Sequence, residues 1–304
     1  MSGMRSTLTQ QGRLDFSVGY RLQTIWGLRE AVVFFLEGLG VALVAGFSLL
    51  DLIPGMIAGI LLMVAAVLLL LSHLGHPIRA WMALRNVRRS WVSRGTLAIS
   101  VFTALAIVLV GIRLSAGGAT HGLLDMSLRI ALYLSGSFIL LYPGFAMAGS
   151  PAIPFWNSGL LPVVSLVNGI ASGGLALTVF LATHERVDQT GWPVNVLWFE
   201  QGTLCLLALI TFVYMVSMLN AGAAARMSVT YLMTKQPMLF WILAVGAGLV
   251  IPIAAVSVAL SANAAPLGLL WIALGARIVG DVSVRYALLK GGIFDAVLQS
   301  NDRT

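Results

Sequence analysis

The sequence predicts an all-α, polytopic integral membrane protein with eight transmembrane helices, arranged as two four-helix halves. The first observation is composition: of 304 residues, 59% are hydrophobic and only 10% are charged, and the mean hydropathy is +0.95. Soluble domains carry about 25% charged residues, so a soluble fold is excluded. The second observation is a series of eight apolar stretches. The third is a strong asymmetry of basic residues between the two sides of the membrane.

Each apolar stretch has about the 20 residues that a helix needs to cross a bilayer. The predicted spans are residues 30–50, 52–72, 95–114, 128–148, 160–182, 196–219, 238–260 and 267–287. Asp51–Pro54 predicts a tight hairpin between the first two. The predicted organisation is an N-terminal segment 1–29, a first bundle 30–148, a second bundle 149–287 and a tail 288–304. Long basic loops at 73–94 and 220–237 follow the second span of each half and favour this division.

Basic residues mark one side of the predicted bundle. An even number of spans puts both termini and the 2–3, 4–5 and 6–7 loops on the same side, which holds 14 of the 18 Lys and Arg residues. These are Arg5, Arg13, Arg21, Arg29, Arg79, Arg85, Arg88, Arg89, Arg94, Arg226, Lys235, Arg285, Lys290 and Arg303. The opposite side holds Arg113, Arg129 and Arg186. Because cytoplasmic loops concentrate Lys and Arg, this asymmetry predicts cytoplasmic termini.

Ionisable residues inside the spans are candidates for function because burying them in a membrane costs free energy. Glu37 lies deep in the first span, where a ligand-pocket or proton-path role and a structural role are both open. Arg277 and Asp281 are four residues apart on the last helix and are expected to pair, chiefly for neutralisation. Glu200 opens the sixth span and is expected to interact with the dipole at that helix N-terminus. Glu30 is expected at the interface.

The histidines argue against an intramembrane haem. His73 and His76 end the second helix, whereas His121 and His184 fall in loops on the other side, roughly 30 Å away. The stretch His73–Trp81 combines imidazole, a flexible glycine and Arg79 at the membrane surface. An imidazole can donate a hydrogen bond to a quinone carbonyl, and it can take up and release a proton near neutral pH. An interfacial basic loop that binds lipid phosphate is an equally open interpretation.

Four motifs together carry a family resemblance. They are His73-Leu-Gly-x-Pro-x-Arg79-Ala, Ser90-Trp-x-Ser93-Arg-Gly95, Tyr142-x-Gly144 and Ile153-Pro-Phe-Trp-Asn157. In the order of these motifs and in its eight-span layout, the chain resembles the membrane-anchor subunits of complex iron–sulfur molybdoenzymes. This group comprises the polysulfide reductase, dimethyl sulfoxide reductase and NrfD anchors. The chain departs from the dimethyl sulfoxide reductase anchors at the start of the third helix, where they carry a glutamate and this sequence has Ser93-Arg94-Gly95.

The resemblance implies a quinone-reactive subunit without haem or iron–sulfur cluster of its own, with menaquinone or ubiquinone as ligand. The implied quinone-binding residues are His73, Gly75, Arg79 and Tyr142, and Glu37 is the candidate to complete the pocket or relay protons. No residue is expected to be catalytic towards the substrate of the complex, and none to bind a metal.

The resemblance also implies partners. These are a four-cluster iron–sulfur subunit and a molybdenum or tungsten bis-pterin catalytic subunit; no nucleic acid is expected. Basic loop residues are expected to dock an acidic partner, namely Arg85, Arg88, Arg89 and Arg94. With the charge asymmetry, docking is predicted on the cytoplasmic face of a bacterial inner membrane. The alternative function is a secondary transporter with a midplane site at Glu37, Arg277 and Asp281.

Overall fold

The computed structural model describes residues 19–72, 77–116, 122–183, 192–262 and 266–296. Within these ranges, eight helices are long and apolar enough to cross a membrane, so the predicted all-α, multi-pass fold is confirmed. The helices are α1 Leu28–Leu49, α2 Ile53–Leu71, α3 Trp91–Ser115, α4 Leu123–Ala148, α5 Leu160–Thr183, α6 Trp192–Asn220, α7 Ala223–Lys235, α8 Ile251–Ser261 and α9 Leu267–Lys290.

Two departures from regular α-helix matter for the site. A 3₁₀ helix, Pro77–Asn86, lies in the loop before α3. A π-helix, Met238–Val250, runs directly into α8, and together they form the seventh span. Helix α7 is short and connects the sixth and seventh spans.

The hairpin between α1 and α2 is observed where the sequence predicts it. Asp51 adopts the left-handed conformation, with φ of 56°, and Pro54 lies in the first turn of α2, where its missing N–H costs nothing. The two helices approach closely: a Cβ added to Gly40 would lie 2.8 Å from the Gly59 carbonyl oxygen. Small residues are therefore required at this crossing.

A cluster of four charged residues locks this hairpin to α3 and α4. Asp51 Oδ1 accepts hydrogen bonds from Arg113 Nη2 at 2.6 Å and from Arg129 Nη2 at 2.7 Å. Arg129 Nε also donates to Asp125 Oδ2 at 2.6 Å. We call Asp51, Arg113, Asp125 and Arg129 the far-side ion cluster. Its two arginines and two aspartates balance, so these arginines add no net charge to their side of the bundle.

The ends of the described chain meet on one side of the bundle. Strand β1, Arg21–Leu22, pairs antiparallel with β2, Ile293–Phe294. The Gln23 side chain donates to the Leu289 carbonyl at 2.7 Å and extends this connection to the end of α9. We call this end of the bundle the terminal side and the opposite end the far side.

Helix α1 lies at the centre of the bundle. It packs against α2, α4, α5 and α9, while α9 also packs against α5 and the π-helix. Spans from the first and second halves of the sequence therefore share one interior. The side chains that face this interior form the site described next.

Candidate functional site

Tyr142 lies in a buried aromatic cluster on the terminal side. It is on α4, and its ring packs edge-to-face against Phe34 of α1, with 5.9 Å between centroids. A Cβ added to Gly95 would lie 2.4 Å from Tyr142 Cε2, and one added to Gly144 would lie 2.2 Å from the backbone nitrogen of Pro162. The two motif glycines thus let α3 and α5 pack directly against α4 around this tyrosine.

The motif at the start of α3 attaches the preceding loop to α4. The Trp91 ring stacks on Phe145 with centroids 4.8 Å apart and 8° between planes. The Arg94 guanidinium lies 4.5 Å from the Trp91 ring centroid and donates to the carbonyls of Val87 and Arg88. Arg94 therefore holds the loop, whereas the side chains of three other predicted docking residues, Arg85, Arg88 and Arg89, are exposed.

The Ile153–Asn157 motif closes the terminal side of the second half. Trp156 Nε1 donates to the Leu288 carbonyl at 2.8 Å, and its ring packs against Trp26 with 5.6 Å between centroids. Tyr214 donates its hydroxyl proton to the Phe155 carbonyl. Trp156 is buried, so this motif is part of the protein core.

The five predicted quinone-binding residues are only partly described. His73 and Gly75 lie outside the described residues. Arg79 falls in the 3₁₀ helix, and its side chain is also outside them. Tyr142 and Glu37 are both buried and interact electrostatically. The structure therefore brings together the two predicted site residues whose side chains it describes.

Glu37 is the first of a row of buried charged side chains that runs through the bundle interior. Glu37 is 2% exposed, and its Oε2 has no hydrogen-bond partner among the described residues. Its nearest charged neighbour is Arg285 of α9, with which it interacts electrostatically. The Arg285 Nη2 atom would lie 2.9 Å from a Cβ added to Gly38, the residue after Glu37. Arg285 falls within the predicted span 267–287 and was counted with the basic residues of one side; the structure buries its side chain in α9, which continues to Lys290.

Asp281 accepts hydrogen bonds at both of its carboxylate oxygens, unlike the other acids of this row. Its Oδ1 accepts from Arg285 Nε at 2.6 Å and from Asn168 Nδ2, and its Oδ2 accepts from Ser172 Oγ at 2.6 Å. Asn168 and Ser172 lie one turn apart on α5, so they present their polar groups to the same face of α9. Sequence analysis missed both. Their spacing within an apolar span was the available signal.

Arg277 does not form the predicted direct pair with Asp281. Its Nη2 donates to Asn168 Oδ1 and to the Asn168 carbonyl at 3.0 Å, so the asparagine amide connects the two charges. Its Nη1 donates to the Gly248 carbonyl at 2.8 Å. Gly248 lies in the π-helix, so this bond ties α9 to the irregular part of the seventh span.

Glu200 lies at the other end of this row of buried charged side chains. It is fully buried, faces Gly174 and interacts electrostatically with Arg277. Within the described ranges, neither of its carboxylate oxygens has a hydrogen-bond partner. The predicted helix-dipole role is wrong, because Glu200 is the ninth residue of α6 and the dipole acts within the first turn. We call Glu37, Glu200, Arg277, Asp281 and Arg285 the central ion cluster.

Two cavities adjoin these groups. One, of about 10 Å³, is lined by Ser165, Asn168 and Arg285 among apolar residues, and such a volume fits about one water molecule. A larger apolar cavity, of about 340 Å³, lies between α1, α4 and α5 in the far half and includes none of the predicted quinone-binding residues. In the described ranges no three His, Cys, Asp or Glu side chains converge as a metal site would require.

Comparison with known proteins adds one match. The family model described as polysulphide reductase, NrfD, matches residues 18–295, nearly the whole chain. No curated protein matches. The family predicted from the four motifs is thereby confirmed. The chain belongs to the NrfD family, whose members are membrane-anchor subunits of polysulfide reductase-type complexes.

Proposed function

We propose that this chain is the quinone-binding membrane anchor of a multisubunit iron–sulfur molybdenum or tungsten oxidoreductase. It would exchange electrons between membrane menaquinone or ubiquinone and an iron–sulfur subunit. The observation that carries the proposal is the burial of Tyr142 beside Glu37 on the terminal side, in a chain of the NrfD family. A tyrosine hydroxyl and a carboxyl group together offer a donor and a proton carrier to a quinone oxygen.

Each proposed site residue has a distinct task. His73 hydrogen-bonds or protonates a quinone oxygen, and Gly75 lets the loop backbone approach the head group. Arg79 and Tyr142 orient that head group or stabilise its reduced form. Glu37 relays protons or completes the pocket from α1. The aromatic packing around Tyr142 supports this proposal, because it fixes the tyrosine ring from α1 and α3.

The proposed partners dock on the terminal side, at the cytoplasmic face of a bacterial inner membrane. The exposed Arg85, Arg88 and Arg89 offer positive charge to an acidic iron–sulfur subunit. Arg94, engaged with Trp91, supports that surface by holding the loop. Labelling engineered cysteines at residues 2 and 303 in intact cells tests the orientation. We expect protection from an impermeant reagent, and labelling of both without lysis would refute cytoplasmic termini.

The central test is gentle purification followed by turnover assays. We expect iron–sulfur and molybdopterin subunits to co-purify. In the complex, His73→Ala abolishes quinone-linked turnover, while turnover of the catalytic subunit with an artificial dye persists. The matched control is His121→Ala, in a predicted far-side loop, which retains both activities. An isolated chain without partners or quinone-analogue binding would contradict the proposal.

The central ion cluster favours a second candidate function, a secondary transporter with a midplane site at Glu37, Arg277 and Asp281. Pockets for small molecules measure about 300–1,000 Å³. Of the two cavities that adjoin the cluster, the one lined by Asn168 and Arg285 measures about 10 Å³ and suits water rather than an organic solute, and the apolar one of about 340 Å³ is lined by none of Glu37, Arg277 and Asp281. Uptake of a solute by vesicles containing the chain alone would favour the transporter; we expect none.

A further inference from the structure

The central ion cluster contains more acids than bases. It holds three carboxylates, Glu37, Glu200 and Asp281, and two guanidinium groups, Arg277 and Arg285, all at most 5% exposed. Fully ionised, the cluster would carry one uncompensated negative charge. Charge without a counterion is strongly unfavourable in a membrane interior.

Among the residues that the structure describes, the groups around the cluster do not supply the missing positive charge. The π-helix and α8 contribute the Gly248 carbonyl and contain no titratable residue. Helix α5 contributes Asn168, Ser165 and Ser172, and α4 contributes Tyr142. These side chains are neutral, so balance requires one added proton on a carboxylate.

The hydrogen bonds indicate which carboxylates can hold that proton. Asp281 accepts from three donors, one of them Arg285, and this arrangement stabilises its anion. Glu37 Oε2 and both oxygens of Glu200 have no hydrogen-bond partner in the part of the chain that the structure describes. Asp281 therefore remains ionised, and one of the two glutamates is a carboxylic acid while the other balances the second arginine.

We propose that the cluster stores a single proton that occupies either Glu37 or Glu200. Moving it breaks the O–H bond of one glutamic acid and forms an O–H bond on the other; no electrons are transferred. Arg277, Asp281 and Arg285 follow one face of α9 over about 12 Å along the helix axis. Glu37 adjoins Arg285 at the Tyr142 end of this series, and Glu200 adjoins Arg277 at the far-side end. The two proton positions therefore lie at different depths in the membrane.

The number of protons that the cluster holds does not depend on the proposed function. The role that we give to this proton does rest on the proposed function. Glu37 lies beside Tyr142 of the proposed quinone site. A negative charge that develops on a bound quinone would repel the carboxylate of Glu37 and favour the proton there. The cluster would then couple quinone chemistry on the terminal side to a proton position nearer the far side.

Infrared spectroscopy of the full chain in lipid nanodiscs tests the proton count without any quinone. A protonated carboxyl group has a carbonyl stretch distinct from that of a carboxylate, and the band shifts in deuterated water. We expect one such band in the wild-type chain. Either Glu37→Gln or Glu200→Gln alone abolishes it, because the remaining glutamate is then ionised against two arginines and Asp281. Glu30→Gln, at the partly buried N-terminal cap of α1 and outside the central ion cluster, is the control and leaves the band unchanged.

Other arrangements give different bands. A Glu37 that stays protonated whatever the charge of Glu200 leaves the band intact in Glu200→Gln, and two independent acids leave half of it in each variant; either result overturns the proposal, as does a wild-type chain without the band. Thermal unfolding of each variant verifies that it is folded. If a variant does not fold, its partner variant and the wild-type band intensity still decide between one acid and two. Quinone-analogue binding, measured separately, tests the proposed function alone.

Discussion

Two ion clusters in this membrane protein differ in charge balance. The far-side ion cluster has two arginines and two aspartates, joined by ion pairs of 2.6 to 2.7 Å, and it locks a hairpin. The central ion cluster has two arginines and three acids, and among the described residues Glu37 Oε2 and both oxygens of Glu200 have no hydrogen-bond partner. The balanced cluster needs nothing more than its own members, which suits a structural role. The unbalanced cluster needs a proton, which suits proton handling.

We expect the largest loss of protein stability when a cation is removed from the central ion cluster. Arg277→Met leaves three acids with one arginine and deprives Asn168 and Gly248 of their donor. Breaking a buried pair in this way costs about 3–5 kcal/mol. We expect a collapse of the folded fraction, measured by size-exclusion chromatography after heating in detergent. Arg85→Met, at an exposed arginine, is the control, and equal stability of the two variants would contradict the assignment of Arg277 as a buried counterion.

Removing an anion should damage the far-side cluster without affecting quinone chemistry. Asp51→Asn deprives Arg113, which is 1% exposed, of its counterion. We expect a loss of about 1.5–3 kcal/mol in stability, the range for hydrogen bonds to charged groups. Quinone-linked turnover per folded complex should be unchanged. A fall in that turnover with unchanged stability would reverse the roles that we assign to the two clusters.

A glycine-to-alanine substitution is expected to have different effects on stability at the two ends of α3. Gly95→Ala places a Cβ against the Tyr142 ring, and overpacking of this kind costs about 1–3 kcal/mol. We expect a lower Tm and a raised KM for quinol, since Tyr142 is displaced. Gly111→Ala on the same helix meets nothing within 4 Å and serves as the matched control. Identical behaviour of the two variants would mean that Tyr142 adjusts freely.

Exposed arginines should contribute least to stability and most to docking. We expect the triple variant Arg85→Gln, Arg88→Gln, Arg89→Gln to change the stability of the chain by no more than about 0.5 kcal/mol. Binding of the iron–sulfur subunit should weaken and lose part of its dependence on salt, since rim charges act at long range. Surface plasmon resonance at two salt concentrations measures both. Unaltered binding at low salt would remove these residues from the proposed docking surface.

The spans were predictable because each is long, apolar and bounded by polar residues, and the observed ends differ from the predicted ones by only a few residues. Tyr142 and Glu37 were found from a motif and from a charge in an apolar helix. Arg285 was counted with the basic residues of one side although it is buried, because hydropathy alone cannot distinguish a helix end buried by its neighbours from one that leaves the membrane. Which partner Arg277 selects depends on the packing of α5 and the π-helix against α9, which sequence spacing does not specify.

Strand β1 and strand β2 pair residues that are synthesised at opposite ends of the chain. When Arg21 and Leu22 leave the ribosome, their backbone partners at Ile293 and Phe294 do not yet exist. The strand pair, and with it the bond from Gln23 to the end of α9, forms only after the last span has been inserted. A chain that ends before Ile293 therefore leaves the backbone of Arg21 and Leu22 without these partners, and the Gln23 side chain without its acceptor at Leu289 is the mark of a chain that stops before the end of α9.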